Sequence, residues 1–154
     1  MSEIKSLSGA GWLKDADDNF QSLKSLAGLH VTPFVFDTAE NDAGDTPASN
    51  KTVAAHPLAV TIPDNAIVIG GSIDVIAAVT SDGSATVAIN LVGANDLLTA
   101  TAKASLGIKA QKPLAAVIAQ PIKLEEEKAV TVTVGTAALT AGKINGYIIW
   151  MEGE

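Results

Sequence analysis

The chain has 154 residues, of which 47 % are hydrophobic but only 4 % aromatic, and it carries a formal net charge of −7. Every basic residue is lysine, so the guanidinium fork that grips phosphate is missing, and the acidic balance argues against binding nucleic acid or an anionic membrane. Cysteine is absent, which excludes disulfides, thiolate metal sites and thiol nucleophiles.

Residues 1–29 read differently from the rest. Phe20, Leu23 and Leu26 recur at helical spacing, with Asp17 or Asp18 placed to cap a short helix and Gly28 to end it. With Trp12, these residues form either a helix folded onto its own domain or an arm laid on a partner. His30–Phe36 reads as a first strand, and Pro33 places it at an edge or a bulge. Asp37–Asn50 has the composition of a loop. His56–Ile62 is a second apolar run bounded by Pro57 and Pro63, and Pro63-Asp64-Asn65 is turn chemistry. Ile67-Val68-Ile69 leads to Gly70-Gly71, a bulge or tight bend between strands. Ile73, Val75, Ala77 and Val79 then alternate up to Ser81-Asp82-Gly83-Ser84. Val87, Ile89 and Leu91 alternate beyond it, so the Asp-Gly centre predicts a hairpin.

Residues 93–120 admit two readings. Asn95 or Asp96 caps a short helix through Leu97, Leu98 and Thr101 that Gly107 closes, or the same residues form irregular β structure. Pro113–Ala119 reads as a strand. Glu125-Glu126-Glu127-Lys128 is a charged turn, and Val130, Val132 and Val134 mark a strand with one buried face. Ala141-Gly142-Lys143 reads as a turn into a last strand, Ile144–Met151. That strand puts Ile148 and Trp150 on one face and Tyr147, Ile149 and Met151 on the other. Two apolar faces fit a strand that is central in a sandwich or covered by a neighbouring subunit.

The expected fold is all-β: a β-sandwich or jelly-roll-like single domain over residues 30–154, preceded by an N-terminal arm or short helix over 1–29. No apolar run reaches the roughly 18 residues of a membrane span, and the start lacks the basic-then-apolar pattern of a signal peptide. Folding in a cytosol is expected.

No motif equips a reaction. His30 and His56 each begin a strand, at no spacing that places metal ligands on one face. Asp15, Asp17 and Asp18 start a calcium-loop pattern, but Phe20 stands where glycine is needed and Leu26 where the bidentate glutamate is needed. Asp37, Glu40, Asp42 and Asp45 read as a solvated loop, and Glu125–Glu127 as a solvated turn. The nucleophile elbow and the phosphate loop are both missing. Neither a catalytic centre nor a cofactor is expected.

Thr61-Ile-Pro-Asp-Asn-Ala-Ile-Val68, Ile73-Asp-Val75, Gly93-Ala-Asn-Asp-Leu97, Val130-Thr-Val-Thr-Val134 and Ala138-Leu-Thr-Ala-Gly-Lys143 together give a texture. In that texture the stretch from about Val53 to Trp150 resembles capsid decoration, or cement, proteins of tailed bacteriophages. The resemblance implies a virion protein on the outer capsid surface, made in a host bacterial cytoplasm. It also implies a homotrimer that bridges subunits of the major capsid protein. It carries no site motif. Trp12, Phe20, Leu23 and Leu26 are the candidate capsid contacts, because aromatic and large apolar anchors often dominate interface energy. Two rivals stand beside this expectation: a host-surface or carbohydrate-binding module of a head fibre or tail, and an enzyme, with or without a metal, on a β-sandwich scaffold.

Overall fold

A computed structural model of the chain describes residues 28–40, 49–114 and 121–154. It is built almost entirely of strands: β1 (Leu29–Asp37), β2 (Ala55–Ile62), β3 (Ala66–Thr80), β4 (Thr86–Asn90), β5 (Leu98–Ala102), β6 (Gln111–Pro113), β7 (Ile122–Lys123), β8 (Lys128–Gly135) and β9 (Ala141–Glu152). Two three-residue 3-10 turns, Ser49–Lys51 and Lys103–Ser105, complete the described elements. The fold class expected from the sequence is the one observed. The proposed arm, apart from Gly28 and Leu29, lies outside the described residues.

The strands form two antiparallel sheets. One has the order β1-β9-β3-β6, with β7 also on β3; the other has the order β2-β8-β4-β5. The two orders are related by chain continuity. β1 runs into β2, β3 into β4, β5 into β6 and β8 into β9, and each pair exchanges sheets. The domain is therefore one four-ply strip folded in half. Its fold line is a row of crossing segments bonded side by side. Leu139 N–H donates to Lys51 C=O (2.8 Å), Ser81 Oγ donates to Ala138 C=O (2.5 Å), and Lys103 N–H donates to Ala85 C=O (3.0 Å).

This topology corrects the expected Asp-Gly hairpin. Residues 81–85 do not join two paired strands; they carry the chain from β3 in one sheet to β4 in the other. β3 takes β9 as its partner along almost its whole length, and β4 takes β8. The Asp-Gly turn is held by the crossing segment beside it and by Gly83 N–H donating to Ser81 Oγ (3.1 Å). Thr80 and Thr140 hydroxyls meet at 2.7 Å across the same line.

Other expectations shift in detail. β3 passes through Gly70-Gly71 without breaking, and a register slip between Val68 and Gly70 marks the bulge. Ala141-Gly142-Lys143 belongs to β9 because Ala141 pairs with Thr80 and Lys143 with Ala77. The open reading of residues 93–102 resolves to β: β5 pairs with β4. Asp96 caps a loop and not a helix, its carboxylate accepting N–H bonds from Leu91, Val92 and Gly93, each at 2.8 Å. Of the strand expected at Pro113–Ala119, β6 takes only Pro113, and residues 115–120 lie outside the described residues.

The core lies between the sheets. Phe34, Phe36, Val68, Ile73, Ile144 and Ile148 meet Ile62, Val87, Ile89, Val130, Val132 and Val134, all buried. Each such side chain contributes about 1.5–3 kcal/mol relative to exposure. The single-face alternation of β8 follows directly: valines inward, threonines outward. Gly146 leaves room for the Phe34 ring, which a side chain there would overlap.

Candidate assembly surface

Trp12, Phe20, Leu23 and Leu26 lie outside the described residues, as do Asp15, Asp17, Asp18, Asp42 and Asp45. The histidines occupy strands of different sheets, His30 in β1 and His56 in β2. His56 is buried, with Nε2 2.9 Å from Thr52 C=O and its ring tilted against Phe36. Among the described residues no three His, Asp or Glu side chains converge as a metal site would require. Glu125–Glu127 form the crossing from β7 to β8. Glu126 pairs with Lys128, whose hydrogen bond and charge hold its carboxyl below the usual range. The described depressions are open, such as one lined by Ser72, Asp74, Gln111, Asn145 and Tyr147. In that depression the Ser72 hydroxyl is engaged by the backbone, donating to Lys112 C=O (3.2 Å).

The distinctive surface is the outer face of the β1-β9-β3 sheet. The ladder fixes which side chains reach it. Ile67 pairs with Met151, Gly70 with Ile149 and Ser72 with Tyr147. Side chains directly opposite in an antiparallel pair share a face. Their neighbours along each strand, such as Val68, Ile148 and Trp150, point to the core side. On β1, Phe34 and Phe36 are buried. Phe34 sits against Gly146, and the Trp150 indole N–H donates to Thr32 Oγ1 (2.8 Å). These contacts run β1 antiparallel to β9 and turn Val31, Pro33 and Val35 outward.

The result is an aliphatic face with one aromatic. Val31 is 63 % exposed, Val35 46 % and Tyr147 43 %, while Ile67, Ile69, Ile149 and Met151 are half-buried. Polar groups frame it towards the fold line, where Asp74 faces Asn145. At the adjoining corner Lys143 Nζ lies 3.0 Å from Asp37 Oδ2. The Asp37 carboxyl is held below its ordinary value first by the Ala39 N–H it accepts (2.9 Å) and then by Lys143. The opposite face, on the β2-β8-β4 sheet, is chemically different. Ala55, Pro57, Thr61, Ala129, Thr131, Thr133, Ala88 and Asn90 give it small, uncharged side chains. Contiguous apolar surface is uncommon on proteins that remain single, and it marks places where another macromolecule packs. The sequence already signalled this face through the two-sided apolar pattern of the last strand.

No protein family and no curated protein matches the chain. Solved structures do match it in shape. A chain in the acidic stable capsid structure of Helicobacter pylori bacteriophage KHP30 superposes with a TM-score of 0.53 at 14 % identity, covering 82 % of this chain and 89 % of that one. The fold is one that phage capsids contain. A chain of the cyanophage Pam1 capsid asymmetric unit gives 0.54 at 16 % identity, covering 80 % and 84 %. A chain of the capsid of Ralstonia phage GP4 gives 0.53 at 17 % identity, covering 81 % and 86 %. The shared architecture spans about four fifths of this chain and more than four fifths of each of the others.

Proposed function

We propose that the protein is a structural component of a phage virion that decorates an icosahedral capsid and stabilises it by bridging neighbouring capsid subunits. The observation that carries this reading is the likeness over four fifths of the chain to chains of three phage capsids. The aliphatic outer face of the β1-β9-β3 sheet supports it, because a protein that works by attachment needs surface to bury and a protein that works by turnover needs a cleft.

The mechanism is linkage. A protein that binds the assembled lattice and not its separated subunits shifts the equilibrium towards the lattice. Attachment as a homotrimer on the outer surface makes each contact intramolecular after the first, so modest contacts sum. Residues 1–29 act as an arm, with Trp12, Phe20, Leu23 and Leu26 as its anchors on the major capsid protein. The acidic, arginine-free composition suits a position away from packaged DNA. Synthesis in the host bacterial cytoplasm fits the lack of cysteine.

Co-sedimentation with purified shells tests the proposal. The full chain is expected to pellet with shells and to raise their disruption temperature. Removal of residues 1–27 and, separately, the pair Tyr147→Ser with Ile149→Ser should each weaken attachment tenfold or more, on the order of 1.4 kcal/mol. Full-strength attachment by both variants would overturn the assignment of these surfaces. No attachment by the full chain would overturn the function.

A further inference from the structure

The chain has six prolines, and three of them stand inside strands: Pro33 in β1, Pro57 in β2 and Pro113 in β6. All three strands lie at sheet edges, whereas the interior strands β9, β3, β8 and β4 contain none. All three prolines are exposed.

Their orientation follows from the ladders. In an antiparallel pair, residues that exchange hydrogen bonds alternate with residues whose N–H and C=O point away. Val134 N–H donates to Ala54 C=O (2.9 Å), one step before the Ala55–Thr133 pair. His56 therefore turns its backbone towards β8 and Pro57 turns away. Leu114 N–H donates to Gly71 C=O and Val75 N–H to Ala110 C=O, so Lys112, opposite Ile73, faces β3 and Pro113 faces away. Thr38 N–H donates to Gly142 C=O and Phe34 lies over Gly146, so even-numbered residues of β1 face β9 and Pro33 faces away. Each missing N–H thus lies on the side of its strand that no other described strand pairs, where an added strand would need it. Of the remaining edges, β7 is two residues long, and β5 is five residues long and passes directly into a 3-10 turn.

We propose that Pro33, Pro57 and Pro113 set the specificity of assembly by closing the sheet edges to strand addition, so that copies of this chain associate through sheet faces. An unguarded edge strand is a template for pairing with another chain, and the need to block it grows where many identical copies are concentrated. A proline in such an edge removes a donor and breaks the ladder a second copy would form.

The test restores the donors. The full-length triple variant Pro33→Thr, Pro57→Thr, Pro113→Thr is compared with the parent by light scattering over a concentration series, with infrared spectra for intermolecular strands and thermal melting for the fold. The variant is expected to reach a mean mass about twice the parent's or more, rising with concentration and accompanied by intermolecular strand signal. A folded variant with the parent's mass at every concentration would overturn the proposal. Should the triple variant not fold, the single changes decide, and unchanged mass in all three folded singles has the same consequence.

Discussion

Asp96 shows how much one side chain fixes. Its carboxylate closes the β4–β5 loop by accepting three backbone N–H groups, while Asn90 Oδ1 accepts a fourth from Asn95 (2.6 Å). Bonds to a charged acceptor are about twice as strong as neutral ones. Replacing Asp96 by Ala should cost about 1–2 kcal/mol in denaturant unfolding, most of it at the part-buried Leu91 N–H, since the Val92 and Gly93 N–H groups are exposed and turn to water. Gly146 is the packing counterpart. Gly146→Ala should destabilise by about 1–3 kcal/mol, because the Phe34 ring occupies the space a Cβ would need. Asp37 gives a pH signature. Its folded-state pKa is depressed, so its contribution is complete above the ordinary carboxylate range and fades as pH falls through the folded value. Lys143, raised by the same contact, contributes below the ordinary lysine range and loses that contribution as pH climbs through its raised value. The stability difference between the parent and Asp37→Asn should therefore be constant near neutral pH and shrink in acid. A difference that does not change with pH would remove Asp37 from the account.

At the scale of elements, strand existence was legible in the residues and strand partnership was not. Alternation marks β8 and β9 because one face of each must meet the core, and the valine–threonine pattern of β8 shows this directly. Pro33 announced an edge or a bulge, and β1 lies at an edge. The Asp-Gly turn misled because turn chemistry is local: it says that the chain reverses, and not whether the next strand joins the same sheet. That choice rests on β9 and β8, some sixty and fifty residues away. Ser81 makes the choice visible in the structure, donating to Ala138 C=O across the fold line. Ser81→Ala should lower stability by about 1–2 kcal/mol and leave hydrogen-exchange protection of β4 and β8 more affected than that of β1. The candidate surface was half legible. The apolar outer positions of β9 could be read from its sequence, but their junction with Val31 and Val35 depends on β1 lying beside β9, which no local pattern encodes.

At the scale of the molecule, charge among the described residues is distributed unevenly. Asp64, Glu125, Glu126, Glu127, Glu152 and Glu154 collect at the end opposite the fold line, joined there by Lys123 and Lys128. Attachment through the aliphatic face and attachment through this acidic end separate on salt. Apolar contact is little screened, so raising ionic strength from about 0.05 to 0.5 M should change affinity for shells by less than about threefold. A steep loss with salt would instead assign binding to the charged end. The most direct measurement of the central claim is electron microscopy of native particles that contain this chain. The folded strip is expected on the outside of the shell, in repeated register with the lattice, with Tyr147 and Ile149 covered by another subunit. Particles whose shells lack it, or that carry it with the β1-β9-β3 face open to solvent, would overturn a decorating role for this face.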